Sequence, residues 1–408
     1  MGRSISRRAF IGGSALGAVA ATTTGVGGAM ASESTPMKLD RSLSFDEINT
    51  PALLVDIDAM EANLRRAADF LKSKGMGLRP HTKTHKCPII AKKQIELGAV
   101  GVCAAKVSEA EVMVDAGVND VLITSVVVTR EKIDRVIALA VRSSGIQMVV
   151  DTIQNADDFN AAAEAAGTKL RVLIALDTGT RRVGIATGKP AMKLLEHISR
   201  KCNSLQFDGL QAYAGHVMHI KGHEKRKARS FSALEHCLET KAKMEKAGHE
   251  IGVFTGGGTG TYDIDSALDG MTDLQMGSYL FMDVQYRAIG DSNSKVFDDF
   301  APSLYVLSTA ISQPVPTMIT IDAGYKAFAA EGVRPEFKDL TGVIYNWGGD
   351  EHGMCMLTNP SREVHVGDKF QLLVSHCDPT VNLYDYYHPH RNGVVEELWP
   401  IAARGKSQ

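Results

Sequence analysis

From Gly75 onward, short runs rich in β-branched residues alternate with longer runs whose apolar positions recur at helical spacing, at intervals of roughly twenty to forty residues. That rhythm is the signature of βα units. It predicts eight strands, over residues 76–81, 99–104, 120–124, 146–151, 170–176, 207–213, 250–255 and 273–276. The helices between them carry stop signals, such as 108–116 ended by Gly117 and 155–166 ended by Gly167. Eight parallel strands with their crossovers in about 230 residues match an α/β fold of the (β/α)8 TIM-barrel class. Another strand, over 52–57, precedes the count. Asp58 opens the helix that follows, with Glu61 in the capping-box position and Met60, Leu64, Ala67, Ala68 and Leu71 at helical spacing. Beyond Ser303 the pattern changes to strands with few helical runs, at 304–311, 317–323, 369–376 and 394–398. The predicted organisation is an N-terminal segment and strand at 32–57 that packs with the C-terminal domain, a barrel at 58–300, and a β-rich domain at 301–408.

Composition supports this reading and narrows the partners. A chain of 408 residues with 44% apolar and 23% charged residues is an ordinary globular protein of two or three domains. Its 45 basic and 47 acidic residues nearly cancel, and without a long basic run there is no electrostatic case for nucleic acid or a membrane surface. The six cysteines form no C-x-x-C pair, which removes zinc knuckles and dithiol redox motifs.

Residues 1–31 read as an address. Arg7 and Arg8 precede an uncharged stretch from Phe10 to Met30 that closes on Ala29-Met30-Ala31, the pattern of a twin-arginine export signal cut after Ala31. Its apolar part is shorter than the roughly 20 residues of a bilayer span. The expectation is a periplasmic mature protein with no membrane attachment.

On this strand count the unusual residues fall at carboxyl ends of strands, where barrel enzymes build their active sites. Strand one leads into Arg79-Pro80-His81-Thr82-Lys83-Thr84-His85-Lys86. Crowded cations lower one another's pKa, which would favour a neutral, nucleophilic lysine; the alternative is a basic surface turn. Strand five leads to Arg182, able to reach an anionic oxygen or simply structural, and strand six to Tyr213-Ala214-Gly215-His216-Val217-Met218-His219. After strand seven stands Thr255-Gly256-Gly257-Gly258-Thr259-Gly260-Thr261, and after strand eight Gly277-Ser278-Tyr279, at the loops where barrels commonly hold a phosphate. In the β-rich domain, His376 and Asp378 are two apart at the end of a predicted strand. Strand alternation would turn both to one face, as two ligands of Mn²⁺ or Zn²⁺ need, with Cys377 pointing away; an H-x-D also arises by chance.

Together these features resemble the fold-type III pyridoxal-phosphate enzymes, the alanine-racemase-like group, and within it the D-threonine aldolase and D-serine dehydratase family. The matching segments also include Lys106-Val107-Ser108-Glu109-Ala110, Asp350-Glu351-His352-Gly353 and His376-Cys377-Asp378-Pro379-Thr380, so that the likeness runs from about Thr50 to Gly405. The resemblance implies pyridoxal 5'-phosphate in Schiff-base linkage to Lys83, with Arg182 near its phenolic oxygen and Tyr213 and Gly277 also at the cofactor. It implies that Gly257, Gly258, Thr259 and Tyr279 hold the phosphate. It further implies a divalent metal on His376 and Asp378, Mn²⁺ foremost, with Zn²⁺ or Mg²⁺ as alternatives. His81, His85 and His219 are the candidate bases, and sequence does not rank them. The aldolase branch is similar to H-x-D at this point and the dehydratase branch to H-x-C, so Asp378 favours an aldolase acting on small D-3-hydroxy amino acids. A D-serine or 3-hydroxy-D-aspartate dehydratase, a 3-hydroxy-D-aspartate aldolase, a non-catalytic pyridoxal-phosphate carrier and a cofactor-free metal hydrolase are the alternatives. A homodimer is implied by the same resemblance. One departure stands out: relatives often have Gln where this chain has Met218, and His216 is added.

Overall fold

The structure is a computed structural model that describes residues 34–408; the export-signal reading of residues 1–31 lies outside the described residues. The barrel strands are β3 (Gly77–Leu78), β4 (Val102–Ala104), β5 (Val121–Ile123), β6 (Ile146–Val150), β7 (Leu170–Ala175), β8 (Leu205–Ala212), β9 (Val253–Gly256) and β10 (Asp273–Leu274), after β1 (Met37–Ser44) and β2 (Ala52–Asp56). They form an eight-stranded sheet in the order β3-β10-β9-β8-β7-β6-β5-β4, with parallel pairing throughout. Its two ends meet where His81 bridges Cys103: the Cys103 N–H donates to the Pro80 carbonyl at 2.8 Å, and the Thr82 N–H to the Cys103 carbonyl at 2.8 Å. The (β/α)8 barrel read from the apolar rhythm is thus present, with seven strands shorter than the predicted runs and β8 longer by one residue. In six of the runs the last residues leave the ladder toward the carboxyl-end loops, whereas β4 and β9 lose residues only at their start. Every residue of β6 is buried, as a strand covered on both faces must be, and the helix Arg130–Arg142 lays Ile133, Val136, Ile137 and Ala140 against the sheet.

Part of the barrel interior is polar. Arg79 lies between Asp120 and Asp273, and Arg171 and Gln147 both bond Asp208, at 2.6 and 2.8 Å. Because Gln147 on β6 and Asp208 on β8 are not on neighbouring strands, their contact crosses the inside of the barrel.

The first helix departs from its predicted cap. It spans Ile57–Ser73 and is capped by Asp56, whose carboxylate accepts the Ala59 N–H at 3.1 Å, in place of Asp58 with Glu61. β2 runs straight into the helix, so the cap falls at the last strand residue and Glu61 is left beyond the capping-box position. Glu61 instead pairs with Lys93 at 3.1 Å and Arg391 at 3.0 Å.

The second sheet contains β1, β2 and the strands after the barrel: β11 (Leu304–Val315), β12 (Met318–Ile321), β13 (Glu336–Phe337), β14 (Val343–Trp347), β15 (Gly353–Leu357), β16 (Lys369–Leu373), β17 (Tyr386–Arg391) and β18 (Val394–Pro400). β2 sits inside it, antiparallel to β11 and parallel to β17. Asn63 of the first helix bonds the carbonyls of Leu280 at 3.1 Å and Ala301 at 2.7 Å, tying the barrel's last segment to the start of the second sheet. All six cysteines are buried and unpaired. No helix among the described residues is long and apolar enough to cross a membrane.

Candidate active site

The loop after β3 is buried, which removes the surface-turn alternative: Thr82, Thr84 and His85 are at most 1% exposed. Each cation in it has a different fate. The Lys86 ammonium pairs with Glu109, whose carboxylate also accepts the N–H groups of Ala105 at 2.9 Å and Lys106 at 3.1 Å, so this lysine is structural. His81 accepts the Lys83 N–H on Nδ1 at 3.4 Å, which leaves Nε2 to donate to the Thr124 hydroxyl at 3.2 Å. Burial, then Lys83, His85 and Lys86, hold its pKa well below the ordinary histidine value. His85 accepts the Cys87 N–H on Nδ1 at 3.1 Å, and burial brings its pKa down to about 4.

Lys83 is half-exposed, and its Nζ lies 3.9 Å from Asp378 Oδ1. Burial lowers its pKa, but Asp378 and Tyr213 outweigh that and raise it above the ordinary lysine value. The expectation that crowded cations set this pKa is therefore corrected: the nearest strong neighbour of Lys83 is the Asp378 anion, which favours the charged amine.

Two cavities meet at Lys83. One, of about 420 Å³, is lined by Lys106, Ser125, Thr180, Arg182 and Gln211, and the other, of about 280 Å³, by His219, Gly258, Thr259, Gly277, His376 and Asp378. Lys83, His81, Tyr213 and Gln275 line both. The Arg182 guanidinium lies 5.9 Å from the centre of the Tyr213 ring. In the glycine loop, a Cβ at Gly258 would come 2.9 Å from Met218 Sδ, one at Gly260 2.2 Å from the Met218 carbonyl oxygen, and one at Gly277 2.5 Å from Thr84 Oγ1. Met218 is thus packed beneath this loop, and His216 is exposed and lines neither cavity.

Two predicted cofactor contacts are not brought to the cavities. The Tyr279 ring is fully buried against Phe300, and its hydroxyl accepts the Gln94 amide at 3.0 Å; only its backbone N–H turns toward the glycine loop, donating to Thr259 Oγ1 at 3.0 Å. Gly257 has φ +63° and faces Leu274 and Asp265. His85 also lines neither cavity, because its ring is enclosed behind the loop.

His376 and Asp378 do converge, but not by strand alternation. β16 ends at Leu373, His376 is the N-cap residue of a short helix Cys377–Val381, and Asp378 lies in its first turn. Nε2 of His376 and Oδ2 of Asp378 are 3.9 Å apart. Cys377 does not point to an opposite face either: it is buried, with Sγ 3.4 Å from Asp378 Oδ2. Burial raises the Asp378 pKa, but Lys83 and His376 with nearby donors outweigh it and hold the carboxyl below its ordinary value. The Thr84 hydroxyl at 3.1 Å and the Ser278 hydroxyl at 3.4 Å also donate to it. His219 is exposed as a residue, but its ring packs 4.5 Å from Tyr286 and 6.5 Å from His376, centre to centre, and this packing and then His376 lower its pKa.

Sequence reasoning missed the residue that fixes this turn. Buried Asp283 accepts the Cys377 N–H at 3.0 Å and the Tyr286 N–H at 2.8 Å. It caps the helix Val284–Arg287, and an acid just before a helical run was its one signal.

The arrangement fits the implied groups. A cavity of about 420 Å³ beside a lysine suits an organic cofactor, and the glycine cradle leaves backbone where side chains would collide. A nitrogen and an ionised carboxylate facing one another suit a divalent cation with further positions open to substrate. Among the described residues, Asp157, His197 and Cys202 also gather donor atoms within 4.8 Å, and none of them lines either cavity.

The chain is similar to known proteins along most of its length. The N-terminal domain of alanine racemase matches residues 55–285, and a serine dehydratase domain matches residues 303–389. A 3-hydroxy-D-aspartate aldolase of Paracoccus denitrificans (strain Pd 1222) is 38% identical over 363 residues, covering 88% of this chain and 93% of the relative. A D-threonine aldolase of an Arthrobacter species is 37% identical over 361 residues, covering 88% and 94%. The crystal structure of a D-threonine aldolase from Filomicrobium marinum superposes with a TM-score of 0.86 at 37% identity, over 91% of this chain and 100% of that one.

Proposed function

The chain belongs to the alanine racemase-like family, on its aldolase side, and we propose that it cleaves D-3-hydroxy amino acids such as D-threonine between Cα and Cβ, giving glycine and an aldehyde, with pyridoxal phosphate and a divalent metal. The observation that carries this reading is the Asp378 carboxylate, with one oxygen 3.9 Å from Lys83 Nζ and the other 3.9 Å from His376 Nε2, which puts the cofactor lysine and the metal pair on one anion. When bound, pyridoxal phosphate supplies a sink for the electron pair left at Cα, and a divalent metal acidifies the hydroxyl it touches.

The chain's own residues do the rest. Arg182 and Tyr213 present a cation and a hydroxyl to anionic oxygens in the larger cavity. The backbone around Gly258 and Gly277 can approach a phosphate closely. His219, which lines the smaller cavity beside His376, is the base that takes the β-hydroxyl proton, whereas His81 has both ring nitrogens engaged. Asp378, with Oδ1 3.9 Å from Lys83 Nζ, offsets the charge of that lysine. The D preference is that of the aldolase relatives.

The test is product analysis with D-threonine and with 3-hydroxy-D-aspartate, in the presence of Mn²⁺ or EDTA. Glycine plus an aldehyde, abolished by EDTA and restored by Mn²⁺, is the expected result. Ammonia plus a 2-oxo acid would make the chain a dehydratase, and no turnover of either substrate would refute the proposal. Export by the twin-arginine route to the periplasm and a homodimer belong to the same proposal, and cell fractionation and light scattering test them.

A further inference from the structure

His376 uses its two ring nitrogens for different partners. Nδ1 lies 2.7 Å from Glu331 Oε2 and donates its proton there, while Nε2 faces Asp378 Oδ2 at 3.9 Å. An imidazole whose Nδ1–H is held by a carboxylate keeps a bare lone pair on Nε2, the form that ligates a cation. An ordinary surface pair of this kind contributes little, and the Glu331 side chain is 56% exposed. Two features set this pair apart. The His376 side chain is only 20% exposed. The backbone beneath Glu331 is also bonded to the His376 turn: the Ala329 N–H donates to the Thr380 hydroxyl at 3.0 Å, that hydroxyl donates to the His376 carbonyl at 2.6 Å, and the Ser375 hydroxyl donates to the Ala329 carbonyl. The Gln285 amide donates to the carbonyl of Glu331 itself at 3.5 Å. Carboxylate and imidazole are therefore carried on one frame.

We infer that Glu331 is a positioning residue for the divalent metal, fixing the tautomer and ring orientation of His376 so that Nε2 and Asp378 face the same ion. The inference rests on the metal reading proposed above. Its test is Mn²⁺ titration calorimetry of the cofactor-loaded full chain, with the parent, Glu331→Ala, Glu331→Gln and His376→Ala compared. The parent should bind Mn²⁺ and His376→Ala should lose it. Glu331→Ala should bind about 10- to 100-fold more weakly with its thermal midpoint close to the parent's, because the pair is peripheral to the core. Glu331→Gln, whose amide oxygen still accepts the Nδ1–H, should keep most of the affinity. Glu331→Ala binding as tightly as the parent, or Glu331→Gln binding as weakly as Glu331→Ala, would overturn the positioning role and leave the metal site standing. A parent that binds no Mn²⁺ would overturn the inference and the metal reading together.

Discussion

Asp265 offers a sharp test of the electrostatics behind the glycine loop. It ends the short helix Tyr262–Asp265, is fully buried, and accepts the Ser230 hydroxyl at 2.5 Å and the Thr261 hydroxyl. Burial pushes its carboxyl up from 3.8 to about 6, and the two hydroxyl donors oppose that only in part. A carboxyl with a raised folded-state pKa keeps its proton longer in the folded chain. Its contribution to stability is therefore full below about pH 4 and is lost as the pH rises through about 6. The gap of about two pH units corresponds to about 3 kcal/mol. Asp265→Asn carries no charge at any pH, and its amide can accept one hydroxyl and donate to the other. Urea unfolding of parent and variant, followed from about pH 4 to pH 7, isolates this group because the remaining carboxylates titrate alike in both chains. The variant should gain about 3 kcal/mol relative to the parent across that window. A difference that stays flat with pH would refute the claim that folding buries a charge here.

Other outcomes follow from the same geometry. Lys83→Ala should abolish the absorbance of the covalently held cofactor together with turnover, which spectroscopy and product analysis check. Gly258→Ala meets only the flexible end of Met218, so cofactor titration should show weaker binding by a folded chain; Gly260→Ala meets the Met218 backbone at 2.2 Å and should unfold at a markedly lower temperature. Glu109→Ala strands the buried Lys86 ammonium and the N–H groups of Ala105 and Lys106, and should cost about 3–5 kcal/mol in chemical unfolding, more than Lys86→Met.

The barrel was legible because each βα unit repeats the same local signals: buried apolar runs such as β6, and helices such as Arg130–Arg142 with one apolar stripe. The second sheet was legible only in part. β17 contains two histidines and Pro389 and gains its place by non-local pairing with β2, and β1 is a mostly exposed edge whose alternation is weak. Neither offers a periodic signal. In the site, types and spacings singled out Lys83, His376 and Asp378, which the structure brings together, while side-chain directions were beyond them. Tyr279 points into the core because its ring finds Phe300 and its hydroxyl Gln94, partners nothing near it in sequence announces.

His376 and Asp378 converge for a reason other than the strand alternation that their spacing suggests. Alternation along a strand would place two side chains on a common face but would not close them onto a lysine from another unit. The short helix after β16 does so, because His376 caps it and Asp378 stands in its first turn, and buried Asp283 takes the Cys377 N–H between the two residues. Asp283 follows the last barrel strand and also holds the Tyr286 N–H, so the turn is pinned from the barrel side. Thr84 from the loop after β3 and Ser278 from the loop after β10 then bond the Asp378 carboxylate itself. The site therefore exists only at the joint between the barrel and the second sheet. Asp378 is positioned by hydrogen bonds from the barrel as much as by its own chain neighbours, which is why an aspartate at this point can address Lys83 and His376 at once.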